Sequence, residues 1–261
     1  VMGARDAGWI QIFAENSQEA YDNTLMAMKL SEKVSLPVMS IMDGFNTSHC
    51  VENLEILEDE AVRKWIGEFT PENSLLNPQN PVTYGPLVLQ NGYFEFKIDQ
   101  EKAMNEAVAE YKKIAEDFEN LSGRKKNYFE EYKLEDAEEI IILMGSVAGT
   151  AKEAVDNLRA KGQKAGLLKI NLFRPFPHKE VAEALKNAKS IAVLDRSQSI
   201  GTYPPLYTEI ISCLYNSKSY KLTTKSYIYG LGGRDILQKD IEKVFSQLKE
   251  GKTGNKIRYI N

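Results

Sequence analysis

The chain reads as an α/β protein whose second half is a small doubly wound domain, and three observations carry that reading. Ile140 to Met144 is an unbroken apolar run, rich in β-branched residues and too short for a helix. That is the pattern of a parallel strand buried on both faces. After a break at Gly145-Ser146, residues Ala151, Val155 and Leu158 recur at helical spacing up to Gly162, the expected stop. A second apolar run, Ala165 to Phe173, follows at once and completes a βαβ unit. From Asp136 onward strands and helices keep alternating, as a doubly wound domain requires.

The opening elements follow from the same rules. Gly8 to Ala14 alternates as a strand, and Ser17 is a candidate N-cap for a helix that carries Ala20, Leu25, Met28 and Leu30 to about Lys33. Leu36 to Met42 is a second buried strand, and it runs into the polar and aromatic loop Asp43 to Cys50. Ligands of open α/β sheets bind outside the carboxyl ends of strands, so this loop is a candidate site. Val51 to Val62 carries a string of carboxylates, read as a solvated face. Phe69 to Phe96, with Pro71, Pro78, Pro81 and Pro86, reads as an irregular arm for function or packing. Asp99 to Leu121 is an amphipathic helix with Ala103, Ala107, Val108, Tyr111, Ile114 and Phe118 on one side.

In the second half Thr150 stands three residues before Glu153, the capping-box spacing. Arg174 to Pro177 is a stiff turn before a helix from Lys179 to Ala188. Ser190 to Asp195 is a strand, Leu206 to Tyr215 a helix, and Lys221 to Tyr229 a polar-rich strand nearer an edge. Gly230 to Gly233 turns into a helix from Asp235 to Leu248 with Ile241, Val244, Phe245 and Leu248 as its core stripe. The expected organisation is residues 1–121 with the irregular arm, a linker at 122–135, the doubly wound domain at 136–249 and a polar tail at 250–261. The opening stretch Val1 to Asp6 reads as the middle of a domain, which points to a preceding N-terminal part.

Composition narrows the function classes. The chain has 261 residues, 43% hydrophobic and 27% charged, with a net charge of −4. These values suit a soluble globular protein and provide no basic field for nucleic acid or a membrane surface. No apolar stretch approaches the roughly 20 residues of a membrane span. Two cysteines, Cys50 and Cys213, and two histidines, His49 and His178, do not reach the ligand counts of an iron–sulfur, zinc or other metal site.

The remaining candidates are single features. His49-Cys50 is a poor nucleophile–base pair if the segment is a strand, because neighbours there point oppositely. His178 reads as a surface residue. Gly230 to Gly233 could present N–H groups to a phosphate, but a lone GxGG without the acidic partner of a Rossmann strand is a weak signal and reads as a structural turn. Asp195-Arg196 lies at a strand's carboxyl end, where a ligand contact and an internal ion pair are both open. The residues by themselves describe a soluble two-domain α/β protein without visible catalytic machinery of its own, as would suit a subunit that lends surface and shape to a partner's cofactor.

Taken together, the motifs resemble one family. Met2 to Gln11 (Met-Gly-Ala-Arg-Asp-Ala-Gly-Trp-Ile-Gln) and Ala14 to Ala20 resemble the late part of the thiamine-enzyme pyrimidine domain of 2-oxoacid:ferredoxin oxidoreductases. Leu36 to Met39 with Asp43-Gly-Phe and Thr47-Ser-His resembles the Asp-Gly-Phe-x-x-Ser-His element of the pyruvate members. Asn80 to Gly85, Gly145 to Glu153, Phe173 to Pro177 and Val193 to Ser197 are similar to the alpha subunit of the archaeal-type, four-subunit pyruvate:ferredoxin oxidoreductase. The likeness runs in order over nearly the whole chain.

The resemblance implies a fold in which the end of a pyrimidine-type domain precedes a transketolase C-terminal-like doubly wound domain. It implies a subunit, inactive alone, of a cytoplasmic complex that converts pyruvate to acetyl-coenzyme A and passes electrons to ferredoxin. Thiamine diphosphate with Mg²⁺, [4Fe-4S] clusters and coenzyme A would be held mainly by beta, gamma and delta partner subunits. The implied site-proximal residues are Asp43, Phe45, Thr47, Ser48 and His49, with Arg5 and Asp6 at the adjoining strand end. The family's Tyr-Pro-Ile-Thr-Pro segment, its aminopyrimidine-facing glutamate and its substrate arginine have no counterpart in these residues, so another polypeptide segment would have to supply them. A related 2-oxoacid (2-oxobutyrate, oxalate or a branched-chain acid) and a non-catalytic assembly module are the alternatives.

Overall fold

The computed structural model describes residues 1–71, 73–217, 222–249 and 256–260. A three-stranded sheet opens the chain: β1 (Ile10–Phe13), helix α1 (Ser17–Val34) and β2 (Val38–Ile41), with β2 parallel to β1. The N-cap of α1 is Asn16 rather than the expected Ser17. The Asn16 side chain accepts from the Glu19 N–H at 2.9 Å, and Glu19 in turn accepts from the Glu15 N–H at 2.7 Å. One orphan donor of the first turn, and the Glu15 N–H just before the cap, are satisfied that way. Helix α2 (Asp59–Ile66) holds part of the carboxylate string, and Asp59 and Glu60 are exposed as expected.

Helix α3 runs Tyr93–Ser122 and packs on α1. It starts six residues before the expected Asp99, because the aromatic end of the arm winds into the helix. Ala107, Tyr111, Ile114 and Phe118 are its buried stripe. The segment 122–135, expected as a linker, contains β3 (Phe129–Tyr132), which pairs antiparallel with β5 (Ala165–Ile170) and forms an edge of the second sheet. A four-residue strand with alternating burial carries too weak a period to stand out beside Lys125 and Lys126.

The second sheet has the order β3-β5-β4-β7-β8-β9, with β4 at Glu139–Leu143, β7 at Ser190–Asp195, β8 at Thr223–Ile228 and β9 at Arg258–Tyr259. All neighbours except β3 are parallel. On β4, Ile140 and Ile142 face one core and Ile141 and Leu143 the other. Helices α4 (Val147–Ala160) and α7 (Gln238–Lys249) cover the second of those faces. The first is covered by α5 (His178–Ala184) and α6 (Pro205–Asn216), in a core continuous with β1, α1 and α3. The domain is doubly wound as expected, though with more strands than the four read from the sequence. Part of the polar tail lies outside the described residues, and its 256–260 portion supplies β9.

The single run expected over Ala165 to Phe173 is two strands. After β5 the chain passes Asn171 into β6 (Leu172–Arg174), which leaves the second sheet and pairs antiparallel with β1 in the first. Asn171 also accepts from the Phe13 N–H at 2.7 Å. One continuous apolar run therefore stitches the two sheets together. Lys221 lies outside the described residues, and the strand expected there begins at Thr223, second from the edge.

Candidate functional site

The carboxyl ends of both sheets converge on one cleft of about 620 Å³. Phe13 and Ile41 close β1 and β2 on one side; Met144, Arg196 and the Gly230–Gly233 turn follow β4, β7 and β8 on the other. Strand β5 lies on one side of β4 and β7 on the other, so the cleft sits where the winding of the second sheet reverses, the place where doubly wound sheets bind ligands.

The loop after β2 folds back on its own first residue. The Thr47 and Ser48 N–H groups donate to the Asp43 carbonyl at 3.2 and 3.3 Å, and His49 N–H donates to the Phe45 carbonyl at 3.2 Å. Ser48 Oγ accepts from the Phe45 N–H at 3.0 Å and lies 2.7 Å from His49 Nδ1. The Phe45 and His49 rings stack with centroids 4.5 Å apart. Thr47 is buried while Phe45 is 77% exposed. His49 and Cys50 do not pair, as expected, though the cause is a turn rather than a strand: Cys50 Sγ donates to the Thr47 carbonyl at 3.0 Å.

Asp43 is tied to the second domain. Its Oδ2 accepts from Ser146 N–H at 2.8 Å and from Ser146 Oγ at 2.6 Å, and it lies 3.3 Å from Arg196 Nη1. Ser146 precedes α4, so the N-terminus of this helix is satisfied by a carboxylate 103 residues away. The expected Thr150–Glu153 capping box is thereby displaced, because Thr150 already lies inside the helix. The internal ion pair of Arg196 is made, but with Asp43. Asp195 instead accepts from the N–H groups of Leu206 (2.8 Å) and Tyr207 (3.1 Å) at the start of α6. Burial pushes its carboxyl up to about 7 against the opposing pull of those two donors.

Asp43 and Phe45 line the cleft; Thr47, Ser48 and His49 belong to the same loop but are not among its lining residues. Arg5 and Asp6 are held elsewhere, against each other at 3.4 Å, with Asp6 3.4 Å from Arg174 on β6. Arg174 also meets Glu209 at 2.7 Å, and exposed His178 stands 3.6 Å from the same carboxylate. Arg196 also lines the cleft and Ser146 meets Asp43 at the start of α4, and no local pattern could have paired either with Asp43.

Glu15, Glu19 and Glu130 lie close enough together to suggest a metal. Their centre holds the Lys169 ammonium, 2.7 Å from Glu15, 2.7 Å from Glu19 and 2.8 Å from Glu130, with Lys152 2.9 Å from Glu15. The cluster is an ion-pair knot between the two halves of the chain, with ammonium groups where a metal ion would sit.

Comparison with known proteins agrees with this architecture. Residues 1–116 match the family described as pyruvate flavodoxin/ferredoxin oxidoreductase, thiamine diphosphate-binding, and residues 137–241 match pyruvate:ferredoxin oxidoreductase core domain II. Pyruvate synthase subunit PorA of Thermotoga maritima is 46% identical over 96% of this chain and 64% of its own length. The Pyrococcus furiosus PorA is 40% identical over 98% of this chain and 66% of its own length. Ketoisovalerate oxidoreductase subunit VorA of Pyrococcus horikoshii is 39% identical over 95% of this chain and 63% of its own length. The chain thus spans less than two thirds of the relatives it matches. Among solved structures, 2-oxoglutarate:ferredoxin oxidoreductase from Magnetococcus marinus, with 2-oxoglutarate, coenzyme A and succinyl-CoA bound, is similar at a TM-score of 0.52 and 15% identity. That match covers 92% of this chain and 42% of the other. The expected fold, a pyrimidine-type end followed by a doubly wound domain, is borne out by the two family matches.

Proposed function

We propose, from the premise that the chain belongs to the 2-oxoacid:ferredoxin oxidoreductase family as a pyruvate synthase-type alpha subunit, that it takes part in the oxidative decarboxylation of pyruvate. Pyruvate and coenzyme A would give acetyl-coenzyme A and carbon dioxide, with two electrons passing through partner-held iron–sulfur clusters to ferredoxin. The observation that carries this reading is the cleft at the convergent strand ends, closed by the Asp43–His49 loop. In a complex of this kind thiamine diphosphate supplies the electron sink, while the protein supplies orientation and electrostatics.

Among the described residues one carboxylate group is close-set enough to be tested against the diphosphate's cation. That group, Glu15, Glu19 and Glu130, does not fit the cation, because the Lys169 and Lys152 ammonium groups already occupy it and offset two of its three negative charges. The role assigned to this chain is therefore to shape and cover a cofactor that other subunits grip. The arm supports such partners. Leu76 (92% exposed), Leu87 (89%) and Phe94 (69%) stand among several exposed apolar residues between Phe69 and Ile98. Large exposed apolar side chains gathered in one segment suit burial against a partner. Among the described residues no helix is long and apolar enough to cross a membrane, and a cytoplasmic location belongs to the same reading.

Assembly decides the point. Pyruvate- and coenzyme A-dependent dye reduction is expected only when the chain is assembled with its beta, gamma and delta partners; turnover by the chain alone would refute the subunit role. The relative named for ketoisovalerate makes a branched-chain oxoacid the second reading. Rates compared across pyruvate, 2-oxobutyrate, oxalate and 3-methyl-2-oxobutanoate discriminate the two. A complex that assembles but turns over none of them indicates a non-catalytic assembly module. Within the active complex, His49→Ala is expected to leave the melting temperature unchanged and lower turnover about a hundredfold, the scale of a lost proton-transfer or positioning group. Unchanged kinetics would remove the loop from the site.

A further inference from the structure

We propose that Asp43, Ser146 and Arg196 form a clamp through which the doubly wound domain positions the Phe45–His49 loop for the reaction. The inference rests on the reading above and adds a task for the second domain beyond packing.

Three features support it. First, the contacts are many and short for two segments so distant in sequence: one carboxylate oxygen takes both Ser146 donors, and Asn46 Nδ2 reaches Ser146 Oγ at 3.4 Å. The carboxylate also sits at the positive end of α4, where the exposed N–H groups and the helix dipole favour a negative charge. Second, the approach is built into the backbone. Gly145 has φ +78°, and a Cβ there would come within 2.7 Å of Asp43 Oδ2, so only glycine lets the carboxylate reach the helix. Third, the loop is held in a costly shape. Phe45 has φ +62°, a left-handed conformation for a bulky residue, while its ring is exposed and stacked on His49. Such strain, of the order of 1 kcal/mol or more, persists only where surrounding contacts over-determine it.

Asp43 heads the loop, and its carbonyl collects the Thr47 and Ser48 N–H groups while its side chain is gripped by the second domain. The exposed ring pair is thus presented by contacts from both halves of the chain. Asp43, Ser146 and Arg196 are positioning residues that act through Phe45 and His49.

The experiment uses the assembled complex with four variants of this chain: Asp43→Asn, Ser146→Ala, His49→Ala and the double variant Asp43→Asn/His49→Ala. Hydrogen exchange of the 44–50 amides and oxoacid-dependent dye reduction are both read. Exchange of these amides is expected to quicken in Asp43→Asn and, less, in Ser146→Ala, with assembly and melting temperature retained. Turnover is expected to fall about tenfold in Asp43→Asn with KM little changed, and the double variant should be no slower than His49→Ala alone, because the two act as one unit. Unchanged loop exchange, or losses that multiply in the double variant, would overturn the clamp. If the parent complex turns over no oxoacid, the functional reading fails, and exchange alone then decides the clamp. Ser146→Ala carries the exchange test should Asp43→Asn not assemble.

Discussion

Replacing Ile142 with aspartate is expected to unfold the doubly wound domain. Ile142 is fully buried on β4, paired with Leu168 on β5 and Val193 on β7. Its side chain faces the core that α5 and α6 share with β1, α1 and α3. The substitution removes about 2–3 kcal/mol of apolar burial. It also places an unpaired carboxylate where water cannot reach it, so the total exceeds about 5 kcal/mol, a large share of a domain's stability. Circular dichroism and denaturant titration read the outcome, with Ile142→Val as a control expected to cost about 1 kcal/mol. A soluble Ile142→Asp chain melting within a few degrees of the parent would place β4 wrongly.

Lys169→Met is expected to be nearly as damaging. Lys169 is 1% exposed at the end of β5 and pairs with carboxylates from three elements: the turn after β1, α1 and β3. Its own burial would push the ammonium down, but Glu19, Glu15 and Glu130 outweigh that and raise it. Burial likewise pushes the Glu130 carboxyl up, and the combined hydrogen bonds and charges of Lys169 and Lys152 hold it below its usual value. Removing one partner of a buried ion cluster leaves uncompensated charge and costs about 3–5 kcal/mol.

The sign of the pH dependence follows. In the parent, a depressed carboxyl stabilises the fold above pH ~4.5 and loses that contribution as pH falls through its lower folded value. In Lys169→Met the burial that raises the Glu130 carboxyl is opposed only by Lys152, its protonation is favoured, and the deficit should shrink on going from pH 7 to pH 5. Denaturant titration at both pH values checks this. A deficit that is absent at pH 7, or larger at pH 5, would show that the knot does not join the two halves electrostatically.

These two positions differ in how they could be read from the sequence. Ile142 lies in the run that identifies β4, and its burial follows from period and length alone. Lys169 lies in an equally apolar run, where a lone lysine gives no hint that three carboxylates from Glu15 to Glu130 will surround it. The same contrast holds at the site. The Asp43–His49 loop was legible because a polar and aromatic stretch directly after a buried strand marks a strand's carboxyl end. Its partners Ser146 and Arg196 were not, since the pairing spans 103 residues in one case. The Thr150–Glu153 spacing failed for the same reason: a local capping signal lost to a carboxylate arriving from another domain.

What the sequence determined by itself was the set of elements whose residues repeat with a clear period: α1, the stripe of α3, β4–α4–β5, β7, α6 and α7. Burial of one face or one stripe forces that period, so it survives in the residue order. Only the tertiary structure decided which strand β6 joins, that Phe129–Tyr132 edges the second sheet, and that Arg258–Tyr259 closes its other side. Strands of two to four residues carry almost no period, and their pairing is chosen by edges that other parts of the chain leave open. The clamp at Asp43 and the knot at Lys169 belong to the same class, because a charge finds its partners in space, and the residues beside it in the chain do not record them.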